Sequence, residues 1–327
     1  MLLESSATLR QRANVAWHKD APQNRRAVLL HALPALAFPI LVMAINLFLE
    51  GQLAVTGGLS GIGMRSTLET IQTVLSSAIR VFLPFWQLGL LYNAMQISRG
   101  LLSQPQNLLE GFRRWGAALR LMLLRTIRYT TEILVGIFFG SLLYTATPLS
   151  NNLIKATAEI TENPAFADAT AEELMTALTD RLSFWDIGLY YGLCILVAAI
   201  LTVPLFYRYR MSDYVLLDSE KPSAFIALRK SMLLMQGNRI RLFKLDLQLW
   251  WYYLLLFIAT LASYGDLILP AIGITFPFSE EWALMIFTLF SALLQLILYY
   301  LFRGEVETTY ACVYDSLKEP EGGNEIR

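Results

Sequence analysis

The residues of this chain whose types and spacing could do chemistry are four carboxylates, each set close to arginine. Glu132 follows Arg128 by four positions, Asp213 and Asp218 follow Arg208 and Arg210, and Asp246 follows Arg241 and Lys244. A spacing of four puts opposite charges on one helix face, where they can pair. Carboxylates that converge within about 12 Å can instead divide acid and base roles between them. Charges set into apolar surroundings are also the usual markers of a substrate or ion path. Ion pairing is the expected use here, and Arg128, Glu132, Asp213, Asp218, Arg241 and Asp246 are the candidate functional or structural charges.

Other catalytic constellations are missing. The two histidines, His18 and His31, occupy unrelated positions, and neither H-E-x-x-H nor G-x-S-x-G occurs. Cys194 and Cys312 are too few for a disulfide framework and have no metal-ligand spacing. The expectation is therefore a non-enzyme, with no catalytic residue, no metal and no cofactor.

The elements that must position these charges are apolar. Of 327 residues, 55% are hydrophobic and 16% charged, against about a quarter charged in soluble domains. A helix needs about 20 apolar residues to cross a bilayer core. Six runs qualify: Ala27–Leu49, Val74–Ile97, Thr130–Leu149, Ile187–Tyr207, Leu247–Leu267 and Ala283–Phe302. Lipid leaves no partner for backbone polar groups, so each run is expected to be a helix. The fold expected is all-α and polytopic: a segment at 1–26, a six-helix membrane domain at 27–302 and a tail at 303–327. Nothing at the N-terminus resembles a signal peptide.

The sorting of positive charge sets the expected orientation. Of 26 lysines and arginines, 22 fall in the N-terminal segment, in 98–128, in 208–244 and beyond 302. The three alternate loops hold only Arg65, Lys155 and Arg181, and the loop Ser150–Asp186 carries seven acidic residues. Basic residues stay on the cytoplasmic side, so both termini are expected in the cytoplasm and the acidic loop outside. The net charge of zero, sorted in this way, points to membrane lipids rather than to nucleic acid.

Two cytoplasmic stretches read as amphipathic helices, at 104–115 and 222–236. In the second, Phe225, Ile226, Leu233 and Leu234 share a side, while Arg229 and Lys230, with Arg239 beyond, are candidate ligands for anionic headgroups. Packing against the inner ends of the bundle is the plainer use of both. Each follows a span holding a proline and an aromatic (Pro84-Phe85-Trp86, Pro204-Leu205-Phe206), which suggests two parallel repeats. In the outer loop, Thr170 and Glu173 have capping-box spacing ahead of Leu174, Leu178 and Leu182. Gly136 and Gly140 form a G-x-x-x-G that lets helices approach, within the chain or in a homo-oligomer.

The run from Tyr209 to Asp218, and then Leu234-Met235-Gln236-Gly237-Asn238-Arg239-Ile240-Arg241-Leu242-Phe243-Lys244-Leu245-Asp246-Leu247, resembles the signature of an uncharacterised bacterial integral-membrane family, domain-of-unknown-function family 975. Met211, Tyr214, Asp218, Gly237, Asn238, Arg241, Phe243 and Asp246 carry the resemblance. The basic opening around Arg10 and Trp17 and the closing Tyr310-Ala311-Cys312-Val313-Tyr314 are similar as well. The long acidic loop and Arg210 depart from the pattern. The family is distantly similar to the membrane region of some glycerophosphodiester phosphodiesterases; no catalytic domain is expected here, so that activity is not carried over. The resemblance implies a multi-pass protein of the bacterial plasma membrane.

The leading functional expectation is a non-enzymatic membrane component that binds anionic lipid headgroups or a protein partner through its basic cytoplasmic surface. A transporter or permease component for a small solute or lipid is the alternative. A lipid-modifying enzyme built on Glu132, Asp213, Asp218 and Asp246 is the second alternative.

Overall fold

The computed structural model describes residues 5–56, 59–163, 170–271, 273 and 280–318. Among these residues every regular element is helical. In chain order they are α1 (Ser6–His18), α2 (Ala21–Thr56), α3 (Leu59–Ser98), a 3₁₀ turn (Pro105–Leu109), α4 (Glu110–Arg113) and α5 (Trp115–Thr145). Then come α6 (Ser150–Glu162), α7 (Ala171–Arg181), α8 (Phe184–Tyr209), α9 (Ser212–Asp218), α10 (Ala224–Leu234), α11 (Arg239–Gln248) and α12 (Trp250–Leu261). A 3₁₀ turn leads to α13 (Gly265–Ala271), and a π-turn (Tyr299–Arg303) joins α14 (Glu280–Leu298) to α15 (Gly304–Lys318).

Five helical stretches among the described residues are long and apolar enough to cross a membrane: Thr73–Ser98, Trp115–Thr145, Trp185–Asp218, Trp250–Pro270 and Trp282–Lys318. Only 11% to 28% of each apolar window is buried within the chain. Water would not tolerate that much outward apolar surface, so this is the architecture of a multi-pass membrane protein. The first expected span, Ala27–Leu49, lies within α2, but beyond Pro34 most of its side chains fall outside the described residues.

The chain divides into two compact units, Met1–Arg120 with Met211–Arg327, and Leu121–Arg210. The first is built around α3 and α15. Trp17, Val28, Leu90, Ile97 and Leu108 bring α1, α2, α3 and the 3₁₀ turn into one apolar cluster. Two glycines set the approach of 104–115 to α3. A Cβ on Gly89 would collide with the Leu108 backbone, and one on Gly111 with the Phe85 carbonyl. The expected amphipathic helix is thus a 3₁₀ turn and a single α-turn, and it packs on α3. Trp86 of α3 donates from Nε1 to the His31 carbonyl at 2.9 Å and stacks on the His31 ring.

The segment 303–327, expected as a tail, contributes α15. Most of that helix is buried, from Gly304, against which Trp17 packs, to Leu317. Residues 319–327 lie outside the described residues.

In the second unit α5 packs on α8 through small residues. A Cβ on Gly136 would meet the backbone of Ala198, and one on Gly140 the backbone of Cys194. The G-x-x-x-G is spent on this pair. Ser183 and Asp186 form a reciprocal capping box that opens α8, and Asn152 of α6 donates to Asp186 at 3.1 Å. In the loop 150–186, of which 164–169 lie outside the described residues, the expected cap of α7 forms. The Thr170 N–H donates to Glu173 at 2.8 Å, and the Glu173 N–H donates to the Thr170 hydroxyl at 3.3 Å.

Gly140→Leu is expected to cost about 1–3 kcal/mol by overpacking, seen as a lower thermal midpoint in detergent. Gly188→Ala, where a Cβ meets open space, is expected to be neutral or stabilising. The bond from the Thr170 N–H, followed by that from its hydroxyl, holds the Glu173 carboxyl below its ordinary range. The α7 cap is therefore complete above the ordinary glutamate range and is lost as pH falls through the lowered value. Amide exchange in the first turn of α7, corrected for intrinsic rate, is expected to quicken only below that range.

Candidate functional site

The site lies in the first unit, where α3, α9, α10 and α15 converge. Its backbone is helical periodicity: Tyr310 and Tyr314 are four apart, one turn of α15, and so share a face. Tyr314 donates from its hydroxyl to Asp218 of α9 at 2.9 Å, and Tyr310 donates to Asp246 of α11 at 2.5 Å. The Tyr253 hydroxyl of α12 lies 2.9 Å from that of Tyr310. Two aspartates 28 positions apart in sequence are thus held by one helix.

Asp218 is the better connected. Arg99, just past the end of α3, reaches it from Nη1 at 2.9 Å, and Lys318 from Nζ at 2.7 Å. The other edge of the Arg99 guanidinium donates to Asp315 of α15, from Nη2 at 2.9 Å and Nε at 3.2 Å. Ser98 donates to the second Asp315 oxygen at 2.6 Å. Arg99 thereby bridges two carboxylates, a use suited to a rigid planar donor. The side chain of Asp218 is 11% exposed and that of Asp315 17%, so water screens this network only partly. The charges of Arg99, Lys318, Asp218 and Asp315 balance. A carboxylate with three donors already on it has little capacity left as a general base; what this network can do is fix α15 to α3 and α9.

A second arginine finishes α9. Arg114 donates from Nη1 to the Leu216 carbonyl at 2.9 Å and to that of Ser219 at 2.6 Å, while Glu110 holds its Nε at 2.9 Å. A cation on the open carbonyls of a helix end is the favourable placement.

Beside the network is a groove of about 330 Å³ between α9, α10 and α15. Asp218, Lys318 and Tyr314 form one wall, and α10 forms the other through Ile226, Lys230 and Leu233. The burial pattern of α10 explains this placement. Ala224, Ala227 and Ser231 are buried, whereas Phe225 is 74% exposed, Ile226 53% and Leu233 62%. Arg229 and Lys230 are exposed on the same side as these apolar residues. Small residues let α10 seat closely on the protein, and its large apolar and basic residues are left facing out.

The structure therefore brings Asp218 and Lys230 to one groove and ties Asp246 to the same face of α15. Asp213 and Arg241 are engaged by neighbours, away from the groove lining. Arg239, at the start of α11, keeps a buried Nε without a hydrogen-bond partner. Arg128 and Glu132 belong to α5 in the second unit. They form no ion pair with each other among the described residues. Among those residues, no three histidine, cysteine, aspartate or glutamate side chains are gathered as metal ligands. Neither cysteine is in a disulfide, and both are buried.

Sequence reasoning missed Arg99, Asp315 and Lys318. The only signal was periodicity in the supposed tail, where Tyr310, Tyr314 and Leu317 recur at helical spacing. Compared with known proteins, the chain matches no family model, no curated protein and no solved structure.

Asp218→Asn is expected to destabilise the protein by about 2 kcal/mol, since it leaves Arg99 and Lys318 short of an anion in a partly buried site. Lys318→Gln, whose side chain is 49% exposed, is expected to cost under about 1 kcal/mol. Thermal midpoints in detergent, with the Asp218→Asn/Lys318→Gln double variant closing the cycle, check both values.

Proposed function

We propose that this chain is a non-enzymatic plasma-membrane protein that engages anionic lipid headgroups from the cytoplasmic side through α10. The outward face of α10 carries the reading: Phe225, Ile226 and Leu233 are exposed beside Arg229 and Lys230. That is the composition of an interfacial helix, whose apolar residues enter the acyl boundary while cations meet phosphates. Exposed Ile240, Phe243 and Lys244 on α11 extend the same chemistry. The 22 cations sorted to one side supply long-range attraction to an anionic leaflet.

The topology that goes with this function has six spans, counting Ala27–Leu49, with both termini in the cytoplasm and the loop around Glu172 outside. The resemblance to domain-of-unknown-function family 975 supports it, since the matching residues Asp218 and Asp246 are the two carboxylates that α15 holds. The repeat reading is supported by the proline-led segments that follow α3 and α8. Its second copy carries α9 before the proline-led helix and α11 after it, and the first copy has no counterpart to either.

Spin labels at Ile226→Cys and Gln236→Cys, in the full chain reconstituted into vesicles, test the function. The label at 226 is expected at headgroup or acyl depth, deeper with phosphatidylglycerol than with phosphatidylcholine alone, and the label at 236 in water. Equal aqueous exposure of the two would refute the reading. Impermeant labelling of cysteines at Ser223 and Glu172 is expected from opposite sides, and labelling from one side would overturn the topology.

A further inference from the structure

The α9–α10–α15 groove has features that a headgroup-binding face does not by itself require. Its volume of about 330 Å³ is at the small end of the range for small-ligand sites, suited to a headgroup rather than a whole two-chain lipid. Lys230 and Lys318 both line it, with the hydroxyls of Ser219 and Ser223 close by. Lys318 has one partner in Asp218, and an ammonium has three donors, so it can hold a second acceptor. Lys230 forms no ion pair among the described residues. Asp218 also lines the groove, but Arg99 and Lys318 offset its charge, and Asp315 is taken up by Arg99. Among these five charged groups the balance is one positive charge, and it is set at Lys230.

The rest of the lining is mixed: Gln236, Asn238 and Tyr314 are polar, while Ile226, Leu233 and Leu234 run along α10. Ile226, Lys230 and Leu233 belong both to the groove wall and to the exposed face of α10. The groove therefore opens on the exposed face of α10, where Lys230 stands between Ile226 and Leu233.

From this juxtaposition we infer that the groove binds the phosphate-bearing headgroup of a single anionic phospholipid. Lys230 and Lys318 meet the phosphate, Ser223 donates to a remaining oxygen, and the acyl chains leave over Ile226 and Leu233, while the Ser219 hydroxyl stays donated to the Lys221 carbonyl. The inference rests on the seating of α10 at the inner leaflet. It differs from that seating in predicting one saturable lipid rather than a diffuse attraction.

Native mass spectrometry of the full chain in mild detergent tests it, with phosphatidylglycerol, phosphatidylcholine, glycerol phosphate and inorganic phosphate as probes. One phosphatidylglycerol retained per chain is expected, displaced by glycerol phosphate, with phosphatidylcholine held no better than background. Lys230→Gln is expected to weaken retention roughly tenfold, the effect of losing one charge-assisted contact. Arg229→Gln, on the exposed face but outside the groove lining, is expected to weaken retention clearly less than Lys230→Gln. Equal loss in both variants, or equal retention of the two lipids, overturns the inference. Inorganic phosphate bound as tightly as phosphatidylglycerol also overturns it, because the source is then soluble. The depth of the label at 226 separates the two readings. A seated helix without a retained lipid refutes the groove alone, and Lys230-dependent retention with α10 in water refutes the seating alone.

Discussion

The arginine just past the end of α3 is the joint on which the first unit depends. Arg99 reaches across to Asp218 on α9 with one edge and to Asp315 on α15 with the other. An uncompensated charge in so poorly screened a position would be costly. Each of the four charges has an opposite partner, so the network is self-consistent as a whole and poor in any of its parts. It fixes the register of α15, and α15 in turn presents Tyr310 and Tyr314 to Asp246 and Asp218. The groove, the seat of α10 and the position of Lys318 all follow from where that one helix is held.

In both units the helices approach one another at small residues, and many large apolar side chains are left exposed. Gly89 and Gly111 admit the 3₁₀ turn to α3, and Gly136 and Gly140 admit α8 to α5. Ala224, Ala227 and Ser231 do the same for α10. In a soluble protein such close approaches would free large aliphatic side chains to fill a core. Here those side chains point outward along the five apolar stretches. This is the expected economy where lipid gives helices no hydrophobic reason to associate and close packing must do it.

Much of this was legible in the order of residues. The apolar runs at Val74–Ile97, Thr130–Leu149, Ile187–Tyr207, Leu247–Leu267 and Ala283–Phe302 each overlap a helical stretch suited to crossing a membrane, because length and hydropathy are local properties. The Thr170–Glu173 cap was readable for the same reason: its partners are three residues apart. The outward face of α10 was readable from its 3.6-residue period. The candidate charges were another matter. Asp218 was singled out among neighbours Arg208 and Arg210, yet its partners are Arg99, Tyr314 and Lys318, about 100 residues away on either side. Arg128 and Glu132 have the right spacing and form no pair with each other, since i,i+4 geometry permits an ion pair without compelling one.

What the sequence determined by itself is an all-helical membrane chain with most of its cations gathered in a few segments between apolar runs and one amphipathic helix beyond the fourth apolar run. Those are matters of period, length and count, which a linear order contains. Only the tertiary structure decided that Gly304–Lys318, within the expected tail, form a buried helix, and that Arg99 pairs with Asp218 and Asp315. It also decided that Lys230 and Lys318 share a groove. Such pairings depend on which helix faces meet, and hydropathy does not encode that choice. It is settled by where glycine and alanine let backbones come close, and by the demand that every charge carried inward arrive beside its opposite.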